Sequence, residues 1–303
     1  MKLTNLTTET RNQHTANIDT MSTKEILDVI NKEDMTVAQR VQQVLPQIEK
    51  VVDAVSHALQ RGGKLFYVGA GTSGRIGIMD AVECPPTFST SPELVQAVMA
   101  GGTGAFVQAV EGAEDEEERG IEDLEKRNIT DLDVVIGIAA SGRTPYVIGA
   151  LKHAQSEGAV TVSLSSNLDS AISKFASIAI EVETGPEVLT GSTRMKAATA
   201  HKMILNMITT TSMIKIGKVY ENLMVDVKVS NKKLKDRAKS IVSTITRVSD
   251  ERASEILEIT NYEVKPAIVM IKANVSFEEA QSYITLANGF VREAIERAQK
   301  EKV

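Results

Sequence analysis

Two hydrophobic rhythms divide this chain. In "VAQRVQQVLPQIEKVVDAVSHALQRGG" (37–63) apolar residues return every three or four positions and stop at Gly62-Gly63, which predicts an amphipathic helix with a glycine end. "TKEILDVINKED" (23–34) carries the same period. The pattern then changes to short, nearly unbroken apolar runs closed by small residues: "KLFYVGAG" (64–71), "ELVQAVMAGG" (93–102), "DVVIGIAASG" (133–142), "AVTVSLSS" (159–166) and "SIAIEVET" (177–184). Each predicts a buried strand. Helical patterns sit between them, around 105–127, 145–157 and 168–175. Alternation at this spacing predicts an α/β fold, a three-layer sandwich with a mostly parallel sheet covered on both faces. A long helix is expected over 191–217. Beyond "YENLMVDVKVSNKKLKDRAKSIV" (220–242) the chain stays helical to its end, with breaks near Asn261, Pro266 and Val275-Ser276. The expected organisation is an N-terminal helical or extended segment (1–50), a sheet domain (51–218) and a small C-terminal helical domain (219–303).

Composition narrows the class. The 303 residues are 42% hydrophobic and 24% charged, enough to build a full core. A net charge of −6 without a basic block argues against nucleic acid as a partner. A single cysteine excludes an internal disulfide and a structural zinc site. The polar N-terminus lacks the apolar core of a secretory signal, and no run of about 18 apolar residues offers a membrane span. The expectation is a cytoplasmic protein with no membrane contact. With 4% aromatic residues and no tryptophan, stacking on bases or sugar faces is not the obvious binding mode.

Three expected strands end alike, in "GAGTSG" (69–74), "ASGRT" (140–144) and "SLSSN" (163–167). In an open parallel sheet, ligands bind beyond the carboxyl ends of the strands. Hydroxyls and helix amides gathered there would hold a phosphate without a lysine cluster. The candidates are Thr72, Ser73 and Gly74 in the first loop, Ser141, Gly142, Arg143 and Thr144 in the second, and Ser165, Ser166 and Asn167 in the third. One such loop is more simply a helix cap; three at consecutive strand ends tip the reading to an anion. The Gly69, Gly71, Gly74 spacing also suits a dinucleotide, but the acid expected at the end of the second strand is missing, which speaks against NAD.

Spacing alone singles out no acid. Glu83, beside Cys84 in "AVECPPTF", is by pattern a surface residue on a helix that Pro85-Pro86 should end. "EGAEDEEERG" (111–120) is most simply a solvated helix face, and Cys84 a small buried hydrophobe. His14, His57, His153 and His201 share no metal spacing, so no metal is expected. Residue by residue, the reading ends at a phosphosugar binder with unassigned acids.

Longer strings are more specific. "TTETRN", "GAGTSGRIGIMDAVECPPTF", "AVEGAED", "IAASGRTPYV" and "GPEVLTGSTRMKAATAHKMILNMIT" run in order through "ENLMVDVKVSNKKLKDRA", covering about residues 1–240. In these the chain resembles the N-acetylmuramic acid 6-phosphate etherase family, whose members carry a sugar-isomerase (SIS) domain. The "GPE…GSTRMK" block is shared with the eukaryotic glucokinase regulators and marks the wider superfamily. "AVECPPTF" together with "AVEGAED" is the narrower signal. Ala198 and His201 stand where the family pattern has Gly and Gln.

The resemblance implies an SIS domain followed by a helical domain. It places the catalytic pair on Glu83 and Glu114, and it adds Glu187, Ser192, Arg194 and Lys196 to the substrate contacts. The implied reaction starts from the open-chain aldehyde of N-acetylmuramic acid 6-phosphate. A base removes the carbon 2 proton, the enolate expels D-lactate from carbon 3, and water adds back to give N-acetylglucosamine 6-phosphate. Glu114 is the expected base, and Glu83 the acid, kept protonated by small apolar neighbours. No cofactor is needed, because the aldehyde itself makes the proton removable. Nine residues separate Gly74 from Glu83, about 13 Å of helix. The acid then reaches the sugar only if that helix bends or ends early, or if a second subunit completes the site. SIS domains commonly pair, so a homodimer with a shared site is implied. The rival readings are a phosphosugar-sensing regulator, which needs neither acid, and an aldose–ketose isomerase, which has no use for an acid aimed at a carbon 3 ether.

Overall fold

The computed structural model describes residues 6–108, 110–227 and 231–301. They pack as two compact units, Met1–Val82 with Pro92–Thr209, and Glu83–Ser91 with Thr210–Val303.

The first unit opens with three 3-10 turns, Thr7–Glu9, Gln13–Thr15 and Ile18–Thr20. Helix α1 (Thr23–Asp34) follows, started by a capping box between Ser22 and Glu25. The single helix expected over 37–63 is split into α2 (Val37–Gln43) and α3 (Leu45–Gln60). Pro46 explains the break, since it sits in the first turn of α3 where its missing N–H is not needed.

All five expected strands form: β1 (Leu65–Gly69), β2 (Val95–Met99), β3 (Val134–Ile138), β4 (Val160–Ser165) and β5 (Ile178–Glu181). They make one parallel sheet in the order β2-β1-β3-β4-β5, with Val68 level with Val98 on one side and Gly137 on the other. Every residue of β1 and β3 is buried, as unbroken apolar runs covered on both faces require. The connecting helices are α4 (Gly71–Phe88), α5 (Glu117–Glu125), α6 (Pro145–Ser156) and α7 (Lys196–Lys215). Phe66, Val68 and Val135 share one core cluster with Tyr146, Val147 and Leu151 of α6.

Two helical expectations shrink. Over 105–127 only the turns Thr103–Phe106 and Ala113–Asp115 precede α5, because Gly101, Gly102 and Gly112 take left-handed backbone. Over 168–175 only a 3-10 turn, Ile172–Phe175, remains: Asp169 is left-handed, and the N–H groups of Asp169 and Ser170 both donate to the Glu181 carboxylate at 2.9 Å. Nor do Pro85 and Pro86 end α4. The helix runs on to Phe88 and stops where Ser89 turns left-handed, its N–H bonded to the Pro85 carbonyl at 3.0 Å.

The second unit takes up the ends of α4 and α7 and adds a short hairpin, β6 (Val219–Tyr220) with β7 (Leu223–Met224), which the helical reading of this stretch had missed. Lys228–Ser230, inside that stretch, lie outside the described residues. Five helices follow, α8 (Lys232–Thr246), α9 (Asp250–Ile259), α10 (Val264–Ala273), α11 (Phe277–Leu286) and α12 (Val291–Lys300). Their core gathers Val242, Ile256, Leu257, Ile268 and Val291. Breaks fall at Asn261 and before Phe277 as expected, but Pro266 lies within the first turn of α10 rather than at a break. Among the described residues no helix is long and apolar enough to cross a membrane.

Candidate active site

From β1 the chain moves outward to β2 and then returns across β1 to β3. That reversal opens a crevice at the carboxyl ends of β1 and β3, where open α/β sheets bind ligands. Two pockets lie there, of about 310 and 290 Å³. The first is walled by Ala70, Gly71, Arg75, Met99 and Glu114; the second by Leu6, Ser141, Arg143, Thr144 and Glu114. Glu114 is therefore the wall the two pockets share.

Close helix packing puts it there. Helix α5 crosses α6 at two glycines: a Cβ on Gly120 would overlap the Tyr146 carbonyl, and one on Gly149 would overlap the Glu117 carbonyl. The crossing is pinned by Lys152 against Glu117 and by the Tyr146 hydroxyl donating to Asp123 at 3.0 Å. Glu114 sits one turn ahead of α5, exposed, after a left-handed Gly112. Arg75 holds the preceding turn by donating to the carbonyls of Ala105 and Phe106 at 2.9 and 3.0 Å.

The second loop leads into a helix start with no side-chain cap. Pro145 begins α6, the Thr144 side chain makes no cap bond, and the Ser141 hydroxyl accepts the Arg143 N–H at 3.3 Å. Gly142 is left-handed, and a Cβ there would overlap Ser170. A helix start left open in this way presents its amides to a phosphate. In the first loop Thr72 and Ser73 are half-buried beside Gly71. Gly74 serves packing, since a Cβ on it would stand 2.7 Å from Met99 Cγ and 2.8 Å from the Gly69 carbonyl.

The third loop faces inward. Ser165, Ser166 and Asn167 are buried, and their polar groups are used within the protein. Ser165 donates to the Asn167 carbonyl at 2.9 Å, and the Ser166 hydroxyl pairs with His201 Nε2 at 3.0 Å. Asn167 accepts from the Thr7 hydroxyl at 3.0 Å and donates to the Thr8 hydroxyl and the Ala140 carbonyl, both at 3.1 Å. It thereby rivets the N-terminal segment, and with it Leu6, along the strand ends.

The shared block divides as well. Glu187 is wholly buried and caps α7, accepting the N–H groups of Lys196 and Ala197, each at 3.0 Å. Burial pushes its carboxyl up, against the pull of those two bonds. The Lys196 ammonium donates to Glu33 at 2.6 Å, with side chains only 3% and 13% exposed. Burial raises the Glu33 carboxyl, but bonds from Lys196, His14 and Asn12 outweigh it and hold the group at about 2. Ser192 is half-buried and Arg194 exposed in the turn before α7.

Glu83 belongs to the second unit and is exposed, beside buried Cys84. The apolar shell expected around it does not form, because the carboxylate stands on the solvent side of α4. The helix does not end early either. One turn earlier, Asp80 is buried and accepts from Tyr67 at 2.8 Å and Thr209 at 3.2 Å, so burial raises its carboxyl despite those bonds. Neither Asp80 nor Arg75 stands out in the sequence: each is a lone charged residue among apolar neighbours, and its partners lie far along the chain. Leu6 and Asp115 were also missed, although both fall in or beside strings with family resemblance.

Comparison with known proteins agrees with this architecture. Residues 39–155 match the N-terminal SIS domain of glucokinase regulatory protein, 113–211 the SIS domain, and 221–289 the C-terminal lid domain of glucokinase regulatory protein. The phosphoheptose isomerase of Neisseria gonorrhoeae superposes with a TM-score of 0.50 at 17% identity, over 63% of this chain and 98% of its own, a likeness of fold. The N-acetylmuramic acid 6-phosphate etherase of Bacillus subtilis is 58% identical over 98% of this chain and 97% of its own length. That of Geobacillus sp. (strain WCH70) is 56% identical over 97% and 100%. At that identity, along nearly the whole length of both chains, the protein belongs to the N-acetylmuramic acid 6-phosphate etherase family.

Proposed function

We propose that this chain is a carbon–oxygen lyase that cleaves the D-lactyl ether of N-acetylmuramic acid 6-phosphate by elimination and then hydration. The observation that carries the reading is Glu114, an exposed carboxylate shared by both pockets at the strand reversal and flanking the open start of α6. The near full-length etherase relatives support it. The substrate phosphate lies at the loop Ser141–Thr144, where the Ser141 and Thr144 hydroxyls and the start of α6 line the second pocket. Glu114 takes the carbon 2 proton of the open-chain aldehyde, and the released electron pair forms the enolate. Collapse of the enolate breaks the carbon 3–oxygen bond, and Glu83, assigned on the family motif, protonates the departing lactate. Water then adds at carbon 3 and a proton returns to carbon 2, leaving N-acetylglucosamine 6-phosphate. The protein works in the cytoplasm as a homodimer. Met79 and Val82, 40% and 59% exposed on the α4 face leading to Glu83, offer an apolar strip for a second copy to cover.

The test is D-lactate release from N-acetylmuramic acid 6-phosphate. Glu114→Gln and Glu83→Gln should each lower kcat by about 10²–10⁴-fold while sugar-phosphate binding persists. Full activity in either variant removes that residue from the mechanism. A phosphosugar-sensing regulator, the reading suggested by the regulatory-protein matches at both ends of the chain, predicts binding without any lactate from the wild type.

A further inference from the structure

The second unit has a cavity of its own, about 750 Å³, which no step above uses. The turn Asn261–Glu263 and the start of α10 form one side. Gln281, Ile284 and Thr285 form another, on one face of α11 at helical spacing, and Asp226 and Ser89 complete the wall.

Strained backbone is concentrated there. Ser89, Asn261 and Tyr262 are left-handed, with φ of 53°, 50° and 63°, a region that side-chain-bearing residues avoid and bulky ones avoid most. Such strain persists only where surrounding structure enforces it, and it gathers at ligand sites. Here the enforcement is visible. The Tyr262 N–H bonds the Leu257 carbonyl at 2.7 Å, the buried Thr260 hydroxyl bonds the Glu263 carbonyl at 2.9 Å, and the Lys235 ammonium sits 4.5 Å from the centre of the Tyr262 ring.

The nearby cations are already engaged. Lys265, its side chain 11% exposed, pairs with Asp226 at 2.8 Å, and the same oxygen takes Lys218 at 2.9 Å. The Lys235 ammonium lies over the Tyr262 ring, so these three ammonium groups are held by the protein rather than offered to a phosphate. What remains is a set of amide and hydroxyl groups (Asn261, Gln281, Thr285) beside the half-buried apolar side chains of Val227 and Ile284. Polar edges with apolar faces suit an uncharged polyhydroxylated ring, and the volume falls in the ordinary ligand range of about 300–1,000 Å³.

We propose that this cavity is a second ligand site, for an uncharged polyhydroxylated ring such as an unphosphorylated amino sugar. The proposal stands apart from the etherase reading, because it involves neither Glu83 nor Glu114. The full-length protein is titrated calorimetrically with N-acetylglucosamine, and separately with inorganic phosphate. Gln281→Trp and Thr285→Trp, at exposed positions of α11 that tolerate substitution, fill the cavity; Thr144→Ala removes a hydroxyl from the second pocket of the first unit instead. The neutral sugar should bind wild type and Thr144→Ala alike, and at least about tenfold more weakly to both tryptophan variants. Absence of saturable sugar binding, binding unchanged by both tryptophans, or sugar binding lost in Thr144→Ala overturns the proposal. So does phosphate binding that the tryptophans abolish, which would make the cavity an anion site.

Discussion

Gly149 of α6 lies against the main-chain carbonyl of Glu117 in α5, so near that any Cβ at position 149 would overlap that oxygen. Glu117 stands three residues after Glu114, and Gly149 five after Thr144. One contact thus fixes the spacing between the proposed base and the phosphate loop. Gly149→Ala should cost about 1–3 kcal/mol by overpacking and lower kcat/KM as the two elements part. Gly104→Ala, with open space around its Cβ, should stay within about 0.5 kcal/mol of wild type. Urea unfolding beside lactate assays checks both.

The Lys196 ammonium is engaged by Glu33 inside the protein. Removing one partner of a buried ion pair leaves the other charge stranded, so Lys196→Ala should destabilise by about 3–5 kcal/mol. A Lys196 that only touched substrate would leave the urea midpoint where it is.

Asn167 governs the N-terminal segment. Asn167→Ala strands the buried Thr8 hydroxyl and should cost about 1–3 kcal/mol. With Leu6 released from the second pocket, KM should rise more than kcat falls. Unchanged KM would contradict that role.

His201 makes stability depend on pH. Burial pushes its imidazole down to about 4 from an unfolded value near 6.5, so the folded chain binds fewer protons between those limits. The stability it contributes is complete above pH 6.5 and is lost as pH falls toward 4, by at most about 1.4 kcal/mol per pH unit. Glu33, held at about 2 from an ordinary 4.5, loses its contribution as pH falls from about 4.5 toward 2, so it overlaps the acid end of this window. Asp80 and Glu187, both raised, act in the opposite sense, since they stabilise as they take up protons. Because both variants contain them, the difference isolates His201. His201→Gln should lose less stability than wild type between pH 6.5 and 4.5.

The sheet was legible because β1 and β3 are unbroken apolar runs, and the start of α6 because Thr144-Pro145 is a local helix signal. Long-range partners were not legible. Nothing in "SLSSN" says that Ser166 meets a histidine 35 residues on, or that Asn167 reaches back to Thr7 and Thr8. Glu187 and Lys196 came in through the shared block, and their burial against α7 and Glu33 was not visible in the sequence. Pro85-Pro86 misled for a related reason: the helix-breaking rule is local, and α4 is carried past it to Phe88.

Cleavage in heavy-oxygen water, with both products weighed by mass spectrometry, tests the central claim most directly. Elimination followed by hydration predicts unlabelled D-lactate and one heavy oxygen in N-acetylglucosamine 6-phosphate. Heavy oxygen in the lactate would place the broken bond on the other side of the ether and contradict the account.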